Sequence, residues 1–292
     1  MIHRYGILAV IALCLAGLSV VSRAQRVDEP VQITTTRGWH PTVSGDGEWV
    51  AFCNGGIARV PSEGGELVSL VENGSDPDWC RTSDLIVFRG GGGLHTVDAW
   101  TGEDVLVGPE LSGEGPAWSP AGTEIAMKGS IDVLSYPGGI LSTVPCDDPL
   151  GGECDGEGCT WSPAGDSIAF EDGLEIMKVA RAGGAAQPVV QGLRDVTEPA
   201  WSPNGRWIAF AMEGDTWSVM NIWVADARGT EHGLWQVTEG SYSDRFPAWS
   251  PNSDRIYFSS NRSGATEIWA IHFQDPTPVL RTSWGSLKNL YR

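Results

Sequence analysis

One phrase recurs along most of this chain and restricts its fold more than any other feature. In its fullest form it reads Pro199-Ala200-Trp201-Ser202-Pro203-Asn204-Gly205-Arg206-Trp207-Ile208-Ala209-Phe210. From the tryptophan to the closing aromatic or large apolar residue, the copies run Trp79 to Phe88, Trp118 to Met127, Trp161 to Phe170, Trp201 to Phe210 and Trp249 to Phe258. A sixth copy has Val43 in the tryptophan slot and ends at Phe52. All six intervals are nine residues, whereas the steps from phrase to phrase are 36, 39, 43, 40 and 48. The phrase is therefore a fixed unit, and its connections are free to vary.

A fixed interval is the mark of two strands joined by a tight turn, because a slip of one residue sends every side chain to the other face. The Ser-Pro-Ala-Gly and Ser-Pro-Asn-Gly turns supply the dihedrals such a hairpin needs. Each hairpin is followed by two more strand-like runs. The third strands are Ile57 to Val60, Leu94 to Val97, Ile131 to Leu134, Glu175 to Val179, Ile222 to Val224 and Ile268 to Ile271. The fourth are Leu67 to Leu70, Val105 to Val107, Leu141 to Val144, Pro188 to Val190, Trp235 to Thr238 and Val279 to Arg281. Four strands in about 40 residues is the period of a propeller blade. The predicted fold is all-β, a six-bladed β-propeller of four-stranded blades beginning near residues 39, 75, 113, 157, 196 and 244.

The wording Pro-Ala-Trp-Ser-Pro-Asn-Gly, then Ile208-Ala209-Phe210, then Ile222-Trp223-Val224 resembles the propeller repeat of the TolB-like (WD40-like, PD40-type) family, over about residues 39 to 281. That resemblance implies a propeller and contact with cell-envelope proteins such as the peptidoglycan-associated lipoprotein and the Tol machinery. The TolB family carries a sizeable α/β domain ahead of its propeller, whereas only residues 25–38 intervene here.

Residues 1–24 read as a secretory signal: His3 and Arg4, an apolar run from Ile7 to Val21, then Ser22-Arg23-Ala24. The run falls short of the roughly 20 residues that span a bilayer, so no membrane span is expected after cleavage. A periplasmic or secreted protein is expected. The segment 25–38 contains Val31-Gln32-Ile33-Thr34-Thr35, which matches the outer-strand run Trp235-Gln236-Val237-Thr238. It is a candidate closing strand, although Val279 to Arg281 competes for the same place in the last blade. A formal charge of -18, with 37 acidic against 19 basic residues, argues against nucleic acid and anionic membrane surfaces.

Five cysteines follow the signal. The odd count leaves at least one unpaired. A disulfide from Cys146 to Cys159 would staple the ends of an irregular insertion, with Cys146 to Cys154 the other option. Cys53 and Cys80 each sit one residue past a phrase landmark and are expected as buried free thiols. The insertion carries Asp147, Asp148, Glu153, Asp155 and Glu157 among glycines. These are weak candidates for calcium, which takes six to eight oxygens; otherwise no cofactor is expected.

Strand direction alternates within a blade, so blade-to-blade loops and second-to-third loops share one face. The long connections Pro145 to Gly158, Met212 to Met220 and Glu239 to Arg245 all fall there. Insertions gathered on one face mark a binding face. Trp39, His40, Asp76, Glu114, Glu157, Glu198, Asp244 and Arg245 precede the phrases at that end, with Trp217 on a neighbouring loop. They predict an acidic mouth suited to a protein partner with a basic segment. The Gly-x-Ser-x-Gly and His-Glu-x-x-His motifs are absent, and His40, His95, His232 and His272 are dispersed. The expected role is thus a protein-binding or scaffold module, not an enzyme. A propeller-type lyase or hydrolase relative, or a binder of small ligands or cations, is the alternative.

Overall fold

A computed structural model of the chain describes residues 28–109, 111, 115–128, 131–147, 157–191, 195–214 and 219–275. It is a six-bladed β-propeller in which every blade is a four-stranded antiparallel sheet. The six hairpins share one register: Val43 pairs with Val50, Trp79 with Ile86, Trp118 with Ile125, Trp161 with Ile168, Trp201 with Ile208 and Trp249 with Ile256. The inner strands are Trp39–Val43, Ser75–Trp79, Ala117–Trp118, Glu157–Trp161, Val196–Trp201 and Asp244–Trp249. The second strand of each blade is apolar on both faces, as a strand held between two blades must be. Phe52, Phe88, Phe170, Phe210 and Phe258 are wholly buried there, and Met127 nearly so.

Six apolar clusters hold the disc together, and each lies between two neighbouring blades. Phe88 and Val97 of the second blade, for example, pack with Ala51 and Ile57 of the first. Polar bonds from a tryptophan reinforce five of the seams. The Trp79 N–H donates to Thr42 Oγ1 at 2.9 Å, the Trp118 N–H to Asp78 Oδ2 at 2.7 Å, and the Trp201 N–H to Thr160 Oγ1 at 3.2 Å. Where the earlier blade has alanine, the indole reaches its carbonyl instead: Trp161 Nε1 to Ala117 at 3.1 Å and Trp249 Nε1 to Ala200 at 3.0 Å.

The sixth seam has Val43 in place of tryptophan, and here the ring closes. Val31–Gln32 pairs antiparallel with Glu267–His272 and fills the outer place of the last blade. The competing run Val279 to Arg281 lies outside the described residues. The hydrogen bonds that seat the N-terminal strand are those of the fifth blade's outer strand. The Ile268 N–H donates to Thr34 Oγ1 at 3.0 Å, as the Ile222 N–H does to Thr238 Oγ1 at 2.9 Å. Gln32 Nε2 bonds the Thr34 carbonyl as Gln236 Nε2 bonds that of Thr238, both at 2.9 Å. Ile33 then packs with Val43, Val50 and Phe52 across the seam.

The cysteines divide differently from the expected staple. Cys146 is disulfide-bonded, but Cys159 is a free buried thiol, as are Cys53 and Cys80. The proposed Cys146–Cys159 pair is therefore wrong. Cys159 lies within the fourth inner strand, paired with Phe170, and its Sγ faces the Gly115 carbonyl at 3.7 Å inside the seam with the third blade. Cys146–Asp147 is held elsewhere, as a short parallel ladder with Gly184–Ala185.

If Thr34 is the latch, Thr34→Val leaves the buried Ile268 N–H without an acceptor and lowers stability by about 1–3 kcal/mol. The exposed neighbour serves as control, Thr35→Val staying within about 0.5 kcal/mol. Urea unfolding at unchanged slope reads the difference.

Candidate functional site

Every inner strand begins with the same backbone feature. His40, Asp76, Gly115, Gly158, Glu198 and Phe246 have φ of 55°, 53°, 55°, 64°, 61° and 55°. Register shifts beside these residues mark β-bulges in five of the six blades. A bulge ends the ladder and re-aims the extra side chain. All six line the mouth of the central channel, which encloses about 580 Å³. Left-handed backbone costs a non-glycine residue on the order of 1–3 kcal/mol. Four such residues at one mouth are a concentration of strain that the surrounding structure must hold.

What holds them is one another. His40 Nδ1 lies 2.8 Å from Asp76 Oδ1, and the His40 ring packs on Phe246 with centroids 3.6 Å apart. The Phe246 N–H donates to Glu198 Oε2 at 2.6 Å, while Arg245 Nε donates to Glu198 Oε1 at 2.8 Å. Asp76, His40, Phe246, Glu198 and Arg245 thus form a continuous arc over the second, first, sixth and fifth blades. Burial pushes the Glu198 carboxyl upward, against the opposing pull of Arg245. Burial also acts to raise Asp76, but its bond to His40 and the His40 charge leave it below its ordinary value. In the remaining sector Gly115 and Gly158 put no side chain on the rim. Glu171 closes the arc's end by accepting the Glu198 N–H at 3.2 Å.

Deeper in the channel stands Asp78. Its oxygens accept the Thr42 hydroxyl at 3.2 Å and the Trp118 N–H at 2.7 Å. Protein surrounds it although one side opens on the channel, and burial pushes its carboxyl up to about 6 despite those bonds and the charge of Arg81.

Of the residues singled out from sequence, His40, Asp76, Glu198 and Arg245 come together at the mouth. Trp39 lies beside it, 37% exposed. Asp244 does not reach the rim: it is wholly buried, with both oxygens held by Arg262 Nη2 at 2.9 and 2.8 Å. Glu114 and Trp217 lie outside the described residues, as do Asp148, Glu153 and Asp155; Asp147 and Glu157 are described only as strand backbone. Among the described residues no group of three or more His, Cys, Asp or Glu is placed to hold a metal ion. The mouth also departs from the acidic ring expected, since Asp76 and Glu198 each face a basic partner.

Sequence reasoning missed Phe246, Asp78 and Arg81. The bulge residue precedes proline in five blades (Pro41, Pro77, Pro116, Pro199, Pro247), so the pre-proline position would have found Phe246. It would also have found Gly115 in place of its neighbour Glu114. Arg81 stands where four sister turns have proline, and Asp78 where the others have threonine or alanine.

No family model matches the chain. Solved structures similar to it include a putative TolB from Agrobacterium tumefaciens, at 17% identity and a TM-score of 0.64, covering 83% of this chain and 92% of that one. The calcium-binding protein regucalcin from Agrobacterium tumefaciens is 15% identical with a TM-score of 0.59, covering 87% and 95%. Oligogalacturonate lyase from Vibrio parahaemolyticus is 11% identical with a TM-score of 0.54, covering 87% and 99%. At these identities the likeness is one of fold, shared by proteins of different function.

The Asp78 environment predicts a pH signature. Folding raises this carboxyl from 3.8 to about 6, so the neutral form is the one the fold favours. Its contribution to stability is full below about pH 4 and is lost as pH rises through about 6. Asp78→Asn removes that loss. Its stability relative to the parent should improve between about pH 4 and pH 7 by up to about 3 kcal/mol, an upper bound because the channel admits water. Denaturant unfolding across that range tests it, and parallel profiles would show that Asp78 does not titrate there.

Proposed function

We propose that this chain is a binding propeller of the cell envelope or extracellular space, with a protein partner docking on the loop-bearing face over the channel mouth. The observation that carries this reading is the arc of His40, Asp76, Glu198 and Phe246, four strained residues from four blades locked together at one opening. Strain of this kind gathers at ligand sites because a pre-set geometry lowers the cost of binding.

The arc offers a mixed surface. Arg245 is well exposed at its edge, His40 partly so, and the His40–Phe246 stack lies between them. Aromatic and arginine groups of this kind dominate protein interfaces. With Asp76 and Glu198 already paired, the partner need not be strongly basic. The reading is binding rather than catalysis because the mouth carboxylates are engaged by His40, Arg245 and the Phe246 N–H. The resemblance of the repeat to the TolB family and the signal-like N-terminus support an envelope setting.

Phe246→Ala removes the centre of the arc, and Glu198→Gln uncouples Arg245. Captured from an envelope extract on immobilised protein, a discrete partner should be held by the parent and by Arg228→Ala, whose side chain lies outside the channel. The two mouth variants should weaken it by about tenfold or more, the loss expected when an interface anchor is truncated. Equal capture by all four proteins, with unchanged melting temperatures, rejects the mouth as the docking site.

A further inference from the structure

The two ends of the channel are built differently. The six inner strands run the same way, so the bulge arc forms one end and the hairpin turns ring the other. At that second end the residue after the turn's first position is proline in four blades (Pro120, Pro163, Pro203 and Pro251), Gly45 in the first and Arg81 in the second. Arg81 is the one charged side chain in this ring of six.

Its setting is unusual for a guanidinium. Arg81 lines the channel and is open to it, yet the surrounding protein desolvates the charge enough to lower its pKa. It makes no hydrogen bond or ion pair with a described residue, and Asp78 is its one electrostatic partner. Asp78 bonds elsewhere, its oxygens taking the Thr42 hydroxyl and the Trp118 N–H. Exposed on the channel, its donors are available to an anion that enters. The turn backbone does not let it swing away at its base: a Cβ on Gly45 would lie 2.1 Å from the Arg81 carbonyl, so the neighbouring turn packs directly against it.

We propose that the turn-side end of the channel is a binding site for a small monocarboxylate, with the carboxylate on the Arg81 guanidinium and its apolar body against the rings of Pro120, Pro163 and Pro251. Carboxylate and guanidinium match as planar bidentate partners. One cation stands here against the nearby Asp78 charge in a chain of net charge -18. Repulsion from Asp78 and from the chain's net charge is greater for a dianion such as phosphate than for a monoanion. A volume of about 580 Å³ accommodates such a molecule. It lies at the other end of the same channel from the mouth at which the protein partner is placed.

Benzoate is the probe, titrated calorimetrically at low ionic strength into the full chain, with benzamide as the neutral isostere and inorganic phosphate as the dianion. Arg81→Pro installs the residue that four sister turns carry, and Arg81→Gln serves should that variant fail to fold. The parent is expected to bind benzoate with one site per chain, and loss of the guanidinium to weaken it by about tenfold or more, as for a charge-assisted pair. Arg228→Ala, outside the channel, should leave benzoate binding unchanged. Equal benzoate affinity in parent and Arg81 variants, absence of saturable binding to the parent, or benzamide binding as well as benzoate would each overturn the site. Phosphate binding more tightly than benzoate would overturn the choice of a monocarboxylate.

Discussion

A serine hydroxyl at the tip of the hairpin is the interaction on which the disc depends. In five blades Ser44, Ser119, Ser162, Ser202 and Ser250 accept the N–H five residues ahead, at 2.9 to 3.0 Å. Four of these hydroxyls also donate to a carboxylate or amide in the same turn: Asp46, Asp166, Asn204 or Asp254. The turn therefore has one length and one conformation, and strand register follows from turn length. Once register is fixed, each tryptophan slot meets the neighbouring blade at the same height. Without that, the seams would not repeat.

The seams in turn explain why the ring needs its N-terminal strand. Five of them are joined by a tryptophan, through its backbone N–H or its indole. The sixth has Val43 and is joined by apolar packing, to which Ile33 contributes from the closing strand, and by the Arg255–Glu63 ion pair. A closed ring leaves no blade with an unpaired seam, and the seam without a tryptophan is the one tied by residues far apart in the chain. The latch reuses chemistry already present in the fifth blade, since Gln32 and Thr34 bond as Gln236 and Thr238 do.

Departures from the repeat are concentrated around the channel. The second blade alone replaces Ser-Pro with Cys80-Arg81, and it alone places a carboxylate, Asp78, in the slot before the tryptophan. At the opposite end four blades keep costly left-handed residues where two use glycine. Asp78 ties one seam through the Trp118 N–H at the cost of a buried carboxyl, and the left-handed residues strain backbone. A scaffold that gathers four strained residues at one mouth of its channel has been shaped there by something besides folding.

The sequence alone settled the six blades, the nine-residue phrase, the strand runs and the face on which the bulge residues emerge, because these are local periodicities fixed by turn chemistry. It also pointed to His40, Asp76, Glu198 and Arg245, which lie next to the phrases in the chain. It left the closing strand open, because two runs of similar pattern competed for one edge. It misjudged Cys159, whose direction is set by the bulge at Gly158 and by the seam with the third blade. It read an acidic mouth, because charges can be counted along a chain while their partners come from other strands and blades: His40 reaches Asp76 across one seam, and Arg262, beyond the next strand of the same blade, removes Asp244 from the rim. Local order follows from nearest neighbours in sequence, but the pairing of charges and the closure of the ring depend on residues brought together only when the disc is complete.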